Sequence, residues 1–132
     1  MSMTAPDWNL GELPEGDGEK VFVNGADQLC FTYTGAAVNG QDFVINASSA
    51  NGEAGNRYRL RHAEDASQFV PYNVELANGS SIVSLPNKTN MAVPFGGGGR
   101  TCFVPTFKTT VSPDLKEGDY SDVLLFEVIT KP

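Results

Sequence analysis

The sequence predicts one all-β domain built as an antiparallel sandwich. Apolar and polar residues alternate with period two through most of the 132 residues, which is typical of half-buried strands. Fourteen glycines, eight prolines and turn-forming pairs such as Asn51-Gly52 separate the alternating segments. No segment has the sustained apolar period of a helix. Short strands at this spacing favour a sandwich, and residues 1–132 have the length of a single domain.

Alternation predicts seven strands, and a further strand is expected to begin near the N-terminus at Trp8. The seven strands are 28–34, 42–46, 57–62, 70–76, 81–85, 101–109 and 120–130. Turns are predicted at 15–18, 39–40, 51–52, 78–79, 96–99 and 117–119. Residues 63–68 are the one segment where a helical turn is an option.

The last predicted strand has two unlike faces. One face carries Tyr120, Leu124, Phe126 and Val128, and the other carries Glu127 among its members. Because a charged residue indicates the more solvent-exposed face, the four side chains on the face opposite Glu127 are expected to point into the core.

Strand 57–62 places three arginines on one face and an apolar set on the other. Arg57, Arg59 and Arg61 are candidates for contact with an anionic glycan or an acidic partner. The alternative is a solvated outer face that balances nearby acids. His62 lies on the opposite, apolar face, where a packed and hydrogen-bonded histidine is expected.

The charge balance and hydropathy exclude two classes of partner. Sixteen acidic residues against nine basic ones give a formal net charge of −7, which repels a phosphate backbone, so no nucleic acid is expected. No apolar run approaches the ~18 residues of a spanning helix, so no membrane insertion is expected. The N-terminus lacks signal-peptide features, which leaves a cytosolic protein or a mature fragment of a secreted one.

Cys30 and Cys102 are either a disulfide or two buried free thiols. Neither belongs to a Cys-x-x-Cys pair, and a single histidine cannot complete a four-ligand zinc site with them. A disulfide closing so long a loop adds about 4 kcal/mol in the chain-entropy model. The disulfide is the preferred interpretation, and it implies an oxidising compartment.

No residue constellation indicates an enzyme, a cofactor or a metal site. The chain has no Gly-x-Ser-x-Gly nucleophile motif, and the glycine run 96–99 precedes a predicted strand rather than a helix. The acidic groups near the C-terminus lack the spacing of a calcium loop and are expected to be solvated; they are Asp114, Glu117, Asp119 and Asp122.

Several motifs, in this order and spacing, resemble the pilin domain of chaperone–usher fimbrial tip adhesins. The closest likeness is to the alternate, colonisation-factor type, and spore-coat-U-like pilins share the ending. The motifs are Asp7-Trp8-Asn9-Leu10, Asp27-Gln28-Leu29-Cys30-Phe31, Val70-Pro71-Tyr72-Asn73-Val74-Glu75-Leu76 and the closing segment 115–128 with its Gly118-Asp119-Tyr120. Together they extend over most of the chain.

This resemblance implies an immunoglobulin-like sandwich that lacks its last strand. A periplasmic chaperone would fill the gap first, and an adjacent pilin subunit would replace it with a donated strand at the outer-membrane usher. The product would be an extracellular fimbrium on the bacterial surface. The expected groove for the donated strand is formed by Trp8, Leu10, Leu13, Tyr120, Leu124, Phe126 and Val128.

Residues 1–6 lack the alternating apolar arm that a strand-donating subunit needs. The chain is therefore expected to accept a strand without donating one, as a tip subunit would, with a receptor-binding domain ahead of it. The alternatives are a small subunit whose arm was removed, and a self-sufficient extracellular β-sandwich that binds an anionic glycan. A closed fold would favour the last of these.

Overall fold

The computed structural model describes residues 1–38, 40–79 and 81–131, and it confirms the all-β prediction. These residues form two antiparallel sheets with two short 3-10 turns, Gly25–Asp27 and Gly35–Val38. The strands are β1 (Ser2–Thr4), β2 (Gly16–Val21), β3 (Leu29–Thr32), β4 (Asp42–Ser49), β5 (Glu53–Ala54), β6 (Arg57–His62), β7 (Phe69–Asn78), β8 (Ser81–Leu85), β9 (Ala92–Pro94), β10 (Arg100–Val111), β11 (Tyr120–Ser121) and β12 (Leu124–Lys131).

The larger sheet has nine strands and is organised around β10 and β7. Its main order is β1-β3-β10-β7-β6-β11, and β2, β5 and β8 pair with β10, β6 and β7 respectively. The smaller sheet has the order β12-β4-β9. All the pairings are antiparallel.

The core lies between the sheets because alternate side chains of each strand point inward. On β7 these are Val70, Tyr72, Val74 and Leu76, all buried. The smaller sheet contributes others, including Phe43, whose ring stacks on that of Phe95 with centroids 4.5 Å apart. Burying a side chain of this size contributes about 1.5–3 kcal/mol, so the alternation is what stabilises the sandwich.

The predicted strands agree with the structure except near the N-terminus and at the last strand. The turn predicted at 15–18 is wrong: Gly16 begins β2, which pairs with Val111 and its neighbours on β10. Gly18 serves close packing, since a Cβ there would lie 2.9 Å from the hydroxyl of Thr109. Residues 63–68 are not helical but contain a turn in which Gln68 donates to the Asp65 carbonyl. The predicted turn at 39–40 includes Asn39, which lies outside the described residues.

The strand expected to begin at Trp8 is also absent from the described residues. Residues 5–13 are irregular, and Ser2–Thr4 instead forms β1 against β3. Trp8 and Leu10 alternate because they reach between the two sheets and pack against the core. The same apolar spacing therefore arises here without ladder pairing.

Candidate functional site

The last strand of the sequence crosses from one sheet to the other. Tyr120–Ser121 pairs with β6 of the larger sheet, and Leu124–Lys131 pairs with β4 of the smaller sheet. The predicted strand 120–130 is thus two strands separated by Asp122 and Val123. The chain therefore passes from the larger sheet to the smaller one at Asp122 and Val123.

The carboxylate of Asp122 fixes the crossover. Its Oδ2 accepts hydrogen bonds from the hydroxyls of Tyr72 at 2.6 Å and Ser49 at 2.5 Å. Its Oδ1 accepts the backbone N–H groups of Asn51 at 3.3 Å and Val123 at 2.8 Å. One side chain therefore joins β7, β4 and the start of β12. The prediction that Asp122 belongs to a solvated acidic group was wrong. The local sequence does not show which hydrogen-bond donors reach this side chain.

Tyr72 is 2% exposed. Burial raises the pKa of Tyr72 well above its ordinary value of 10.0, and the hydrogen bond to Asp122 raises it further. Tyr58 makes a second link between the sheets, since its hydroxyl donates to the Ala47 carbonyl at 2.7 Å and burial raises its pKa too. Both phenols remain neutral donors at ordinary pH.

One edge of β12 has no partner strand among residues 1–38, 40–79 and 81–131. The Val123 carbonyl accepts the N–H of Ala50 at 2.9 Å, so Val123 faces β4. Backbone polar groups alternate sides along an antiparallel strand, so those of Leu124, Phe126 and Val128 face away from β4. The residues with inward side chains thus present their N–H and C=O groups to the open edge.

A cleft of about 1120 Å³ lies beside this open edge. It exceeds the roughly 300–1000 Å³ of ordinary small-molecule pockets. Apolar side chains from β6, β7, β10 and β12 form much of its floor, beside polar groups that include Asp122. It is lined by the N-terminal segment 5–13, by segment 115–124, and by Leu60, Val70, Tyr72, Phe107, Val111 and Phe126.

Six of the seven residues predicted for a groove line this one cleft. They are Trp8, Leu10, Leu13, Tyr120, Leu124 and Phe126. The seventh, Val128, is half-buried on the same face of β12 but lies beyond the cleft. The floor residues from β6, β7 and β10 were not among the sequence candidates, because sequence alone does not reveal which core positions are left uncovered.

Trp8 bridges the two sheets at the cleft. Its ring centroid lies 5.4 Å from that of Phe107 on β10 and 6.1 Å from that of Phe126 on β12. The indole N–H donates to the Asp27 carbonyl at 2.6 Å. The N-terminal segment is therefore anchored as the wall opposite β12.

His62 holds the loop at the cleft's rim and takes the structural role expected for it. Its Nδ1 accepts the N–H groups of Glu64 and Asp65, so Nε2 carries the proton and donates to the Glu117 carbonyl at 2.8 Å. Gly118 follows at a φ of +145°, and a Cβ there would lie 2.2 Å from Nε2. The close approach of the loop to the imidazole requires glycine at this position.

The arginines of β6 lie on one face, but two of them bond within the chain. Arg57 donates to Asn73 Oδ1, Thr110 Oγ1 and the Lys108 carbonyl. Arg59 donates to the Asn51 carbonyl and lies 4.2 Å from the ring centroid of Phe69. Arg61 is exposed. The described partners of Arg57 and Arg59 are neutral groups, so the balancing of acids expected of this face is not seen there.

The predicted disulfide is confirmed. Cys30 on β3 and Cys102 on β10 face each other across the antiparallel ladder and are bonded. Cys30 is buried, and neither cysteine lines the cleft. The bond ties an outer part of the larger sheet to its central strand.

No family model and no curated protein sequence matches the chain. Within the described ranges, no helix has the length and apolarity to span a membrane. The same residues contain no group of three or more His, Cys, Asp or Glu side chains arranged to hold a metal ion.

Proposed function

We propose that this chain is a structural and assembly subunit of a bacterial adhesive fimbria that accepts a β-strand from another chain. The observation that carries the proposal is the unpaired edge of β12 beside an apolar cleft. The resemblance to pilin domains adds support because it implies an immunoglobulin-like sandwich open at its last strand. In this proposal the domain has no enzymatic role.

Physical chemistry favours strand addition at this edge. An exposed row of N–H and C=O groups is a template for pairing with another chain, and proteins normally cover or charge it. Leu124, Phe126 and Val128 are only half-buried, although their side chains pack against the core. An added strand supplies ladder hydrogen bonds to the exposed N–H and C=O groups of β12, and its alternate side chains fill the cleft and cover the half-buried residues.

The proposed partners follow from the resemblance. A periplasmic chaperone would cover the edge first, the outer-membrane usher would exchange it, and an adjacent pilin subunit would leave its strand in place. The chain would then belong to an extracellular fimbrium, and a separate domain would contact a host receptor. Glycan binding at Arg57, Arg59 and Arg61 has weaker support, since the first two guanidinium groups already bond within the chain.

Hydrogen exchange tests strand addition residue by residue. An eight-residue peptide of alternating Val and Thr, matching the length of β12, is added to the protein. We expect the amides of Leu124, Phe126, Val128 and Thr130 to become at least about tenfold slower to exchange, because their N–H groups face the open edge and gain partners there.

The amides of Leu125, Glu127 and Ile129 provide an internal control. They face β4 and are expected to be protected with or without the peptide. A proline at each alternate position of the peptide removes its donors and should abolish the effect. Equal exchange of Leu124, Phe126 and Val128 with and without the peptide, at concentrations up to the peptide's solubility, would contradict the proposal.

A further inference from the structure

The rim of the cleft is acidic, and this constrains what can occupy it. Asp7 and Glu12 are exposed on the N-terminal wall, and Glu117 and Asp119 are exposed on the loop before β11. None of these four carboxylates takes part in an ion pair within the described part of the chain. Four negative charges therefore surround an apolar floor.

Few basic residues offset the negative charge of these four carboxylates. Among the described residues, Lys116 is the only basic residue that lines the cleft, and its Nζ lies 3.7 Å from the carboxylate of Asp65. Asp122 adds a fifth carboxylate deeper in the cleft, where four hydrogen bonds already engage it. Charges closer together than the Debye length, about 10 Å at 0.1 M salt, add to a common potential at the cleft.

We infer that the strand this cleft accepts is cationic: an extended segment with apolar side chains at alternate positions and Lys or Arg at the positions between or beside them. This inference rests on the proposed function. The apolar residues would fill the floor beside Phe107 and Phe126, and the basic residues would face the rim carboxylates. A second copy of this chain is a poor occupant, since each copy carries a net charge of −7.

Two peptides that differ only in charge test the inference. Both have the same alternating Val and Ile residues, with Lys at the intervening positions of one and Glu in the other. The chain has a single tryptophan, and because Trp8 lines the cleft its fluorescence reports occupancy directly. The guanidinium unfolding midpoint provides the second measurement.

At about 20 mM salt we expect the Lys peptide to bind at least about tenfold more tightly than the Glu peptide. The difference should fall to about threefold or less at roughly 0.5 M salt, because screening shortens the range of exposed charges.

Two variants with equal changes in net charge distinguish the effect of the rim carboxylates on peptide binding from the effect of the chain's overall charge. The rim variant combines Asp7→Asn, Glu12→Gln, Glu117→Gln and Asp119→Asn. The control variant combines Glu15→Gln, Asp42→Asn, Glu64→Gln and Asp114→Asn, which are exposed and lie outside the cleft. The rim variant should lose the preference for the Lys peptide, and the control variant should keep most of it.

Equal binding of the two peptides at low salt, or equal loss of preference in both variants, would overturn the charge inference while strand acceptance stands. Failure of both peptides to change the Trp8 fluorescence or the unfolding midpoint, at either salt concentration, would contradict the proposed function itself.

Discussion

Removal of the disulfide by Cys30→Ala with Cys102→Ala is expected to lower the free energy of unfolding by about 4 kcal/mol. The bond spans 72 residues of sequence, and closing a loop of that length restricts the unfolded chain strongly. The native strands β3 and β10 would still pair, because their ladder and the buried rings of Phe31 and Phe103 remain. The loss should therefore appear in stability, with the fold retained.

Guanidinium unfolding followed by circular dichroism measures this effect. The oxidised protein, the reduced protein and the double variant are compared, and thiol titration confirms no free thiol in the first and two in the second. Similar losses in the reduced protein and the variant would assign the effect to the cross-link. A loss below about 1 kcal/mol would show that the bond adds little constraint.

Asp122→Ala is expected to cost about 3 kcal/mol. The change leaves the buried hydroxyl of Tyr72 and the Ser49 hydroxyl without their acceptor, and it removes the acceptor of two backbone N–H groups. Leaving buried donors unpaired costs about 1–3 kcal/mol each, reduced where water can enter from the cleft. Asp122→Asn, which keeps one carbonyl oxygen, should cost less.

Asp119→Ala is the matched control for the crossover. Asp119 is exposed, and its backbone carbonyl accepts the N–H of Ala63, while its side chain makes no hydrogen bond to the residues that the structure describes. Its substitution should change stability by no more than about 0.5 kcal/mol. Equal stability losses at the two positions would contradict the anchoring role of Asp122.

Strand positions could be predicted because alternation is a local property. Segments 57–62 and 81–85 match β6 and β8 at both ends. The errors occurred where tertiary contact overrides the local pattern. Trp8 and Leu10 alternate because they form a wall, and Gly16 and Gly18 lie in a strand because β10 is long enough to pair beyond β3.

The cleft was predicted in part for the same reason. The face shared by Leu124 and Phe126 follows from parity alone. Parity was wrong for Tyr120, which lies on β11 of the other sheet, packs against the ring of His62 instead of the core, and lines the cleft only because the chain crosses between the sheets. The role of Asp122 depends on donors 50 to 73 residues away in sequence, and the floor depends on which strands remain uncovered. A short sequence pattern contains neither the hydrogen-bond partners of Asp122 nor the residues of the cleft floor, so both became visible only in the folded structure.

We propose that this sandwich lacks a strand beside β12. Fusing an alternating apolar strand after residue 132 tests it directly, in two versions that allow either direction of pairing. A tight turn permits antiparallel pairing, and a Gly/Ser linker of about 12 residues spans the ~26 Å length of β12 for parallel pairing. Controls carry the same linkers and a strand of alternating Ser and Asn.

At least one fusion is expected to raise the free energy of unfolding by about 3 kcal/mol or more over its control, because new ladder bonds and cleft filling act together. Guanidinium midpoints within error of the controls for both fusions would show that the sandwich needs no further strand, and strand acceptance at β12 would be wrong.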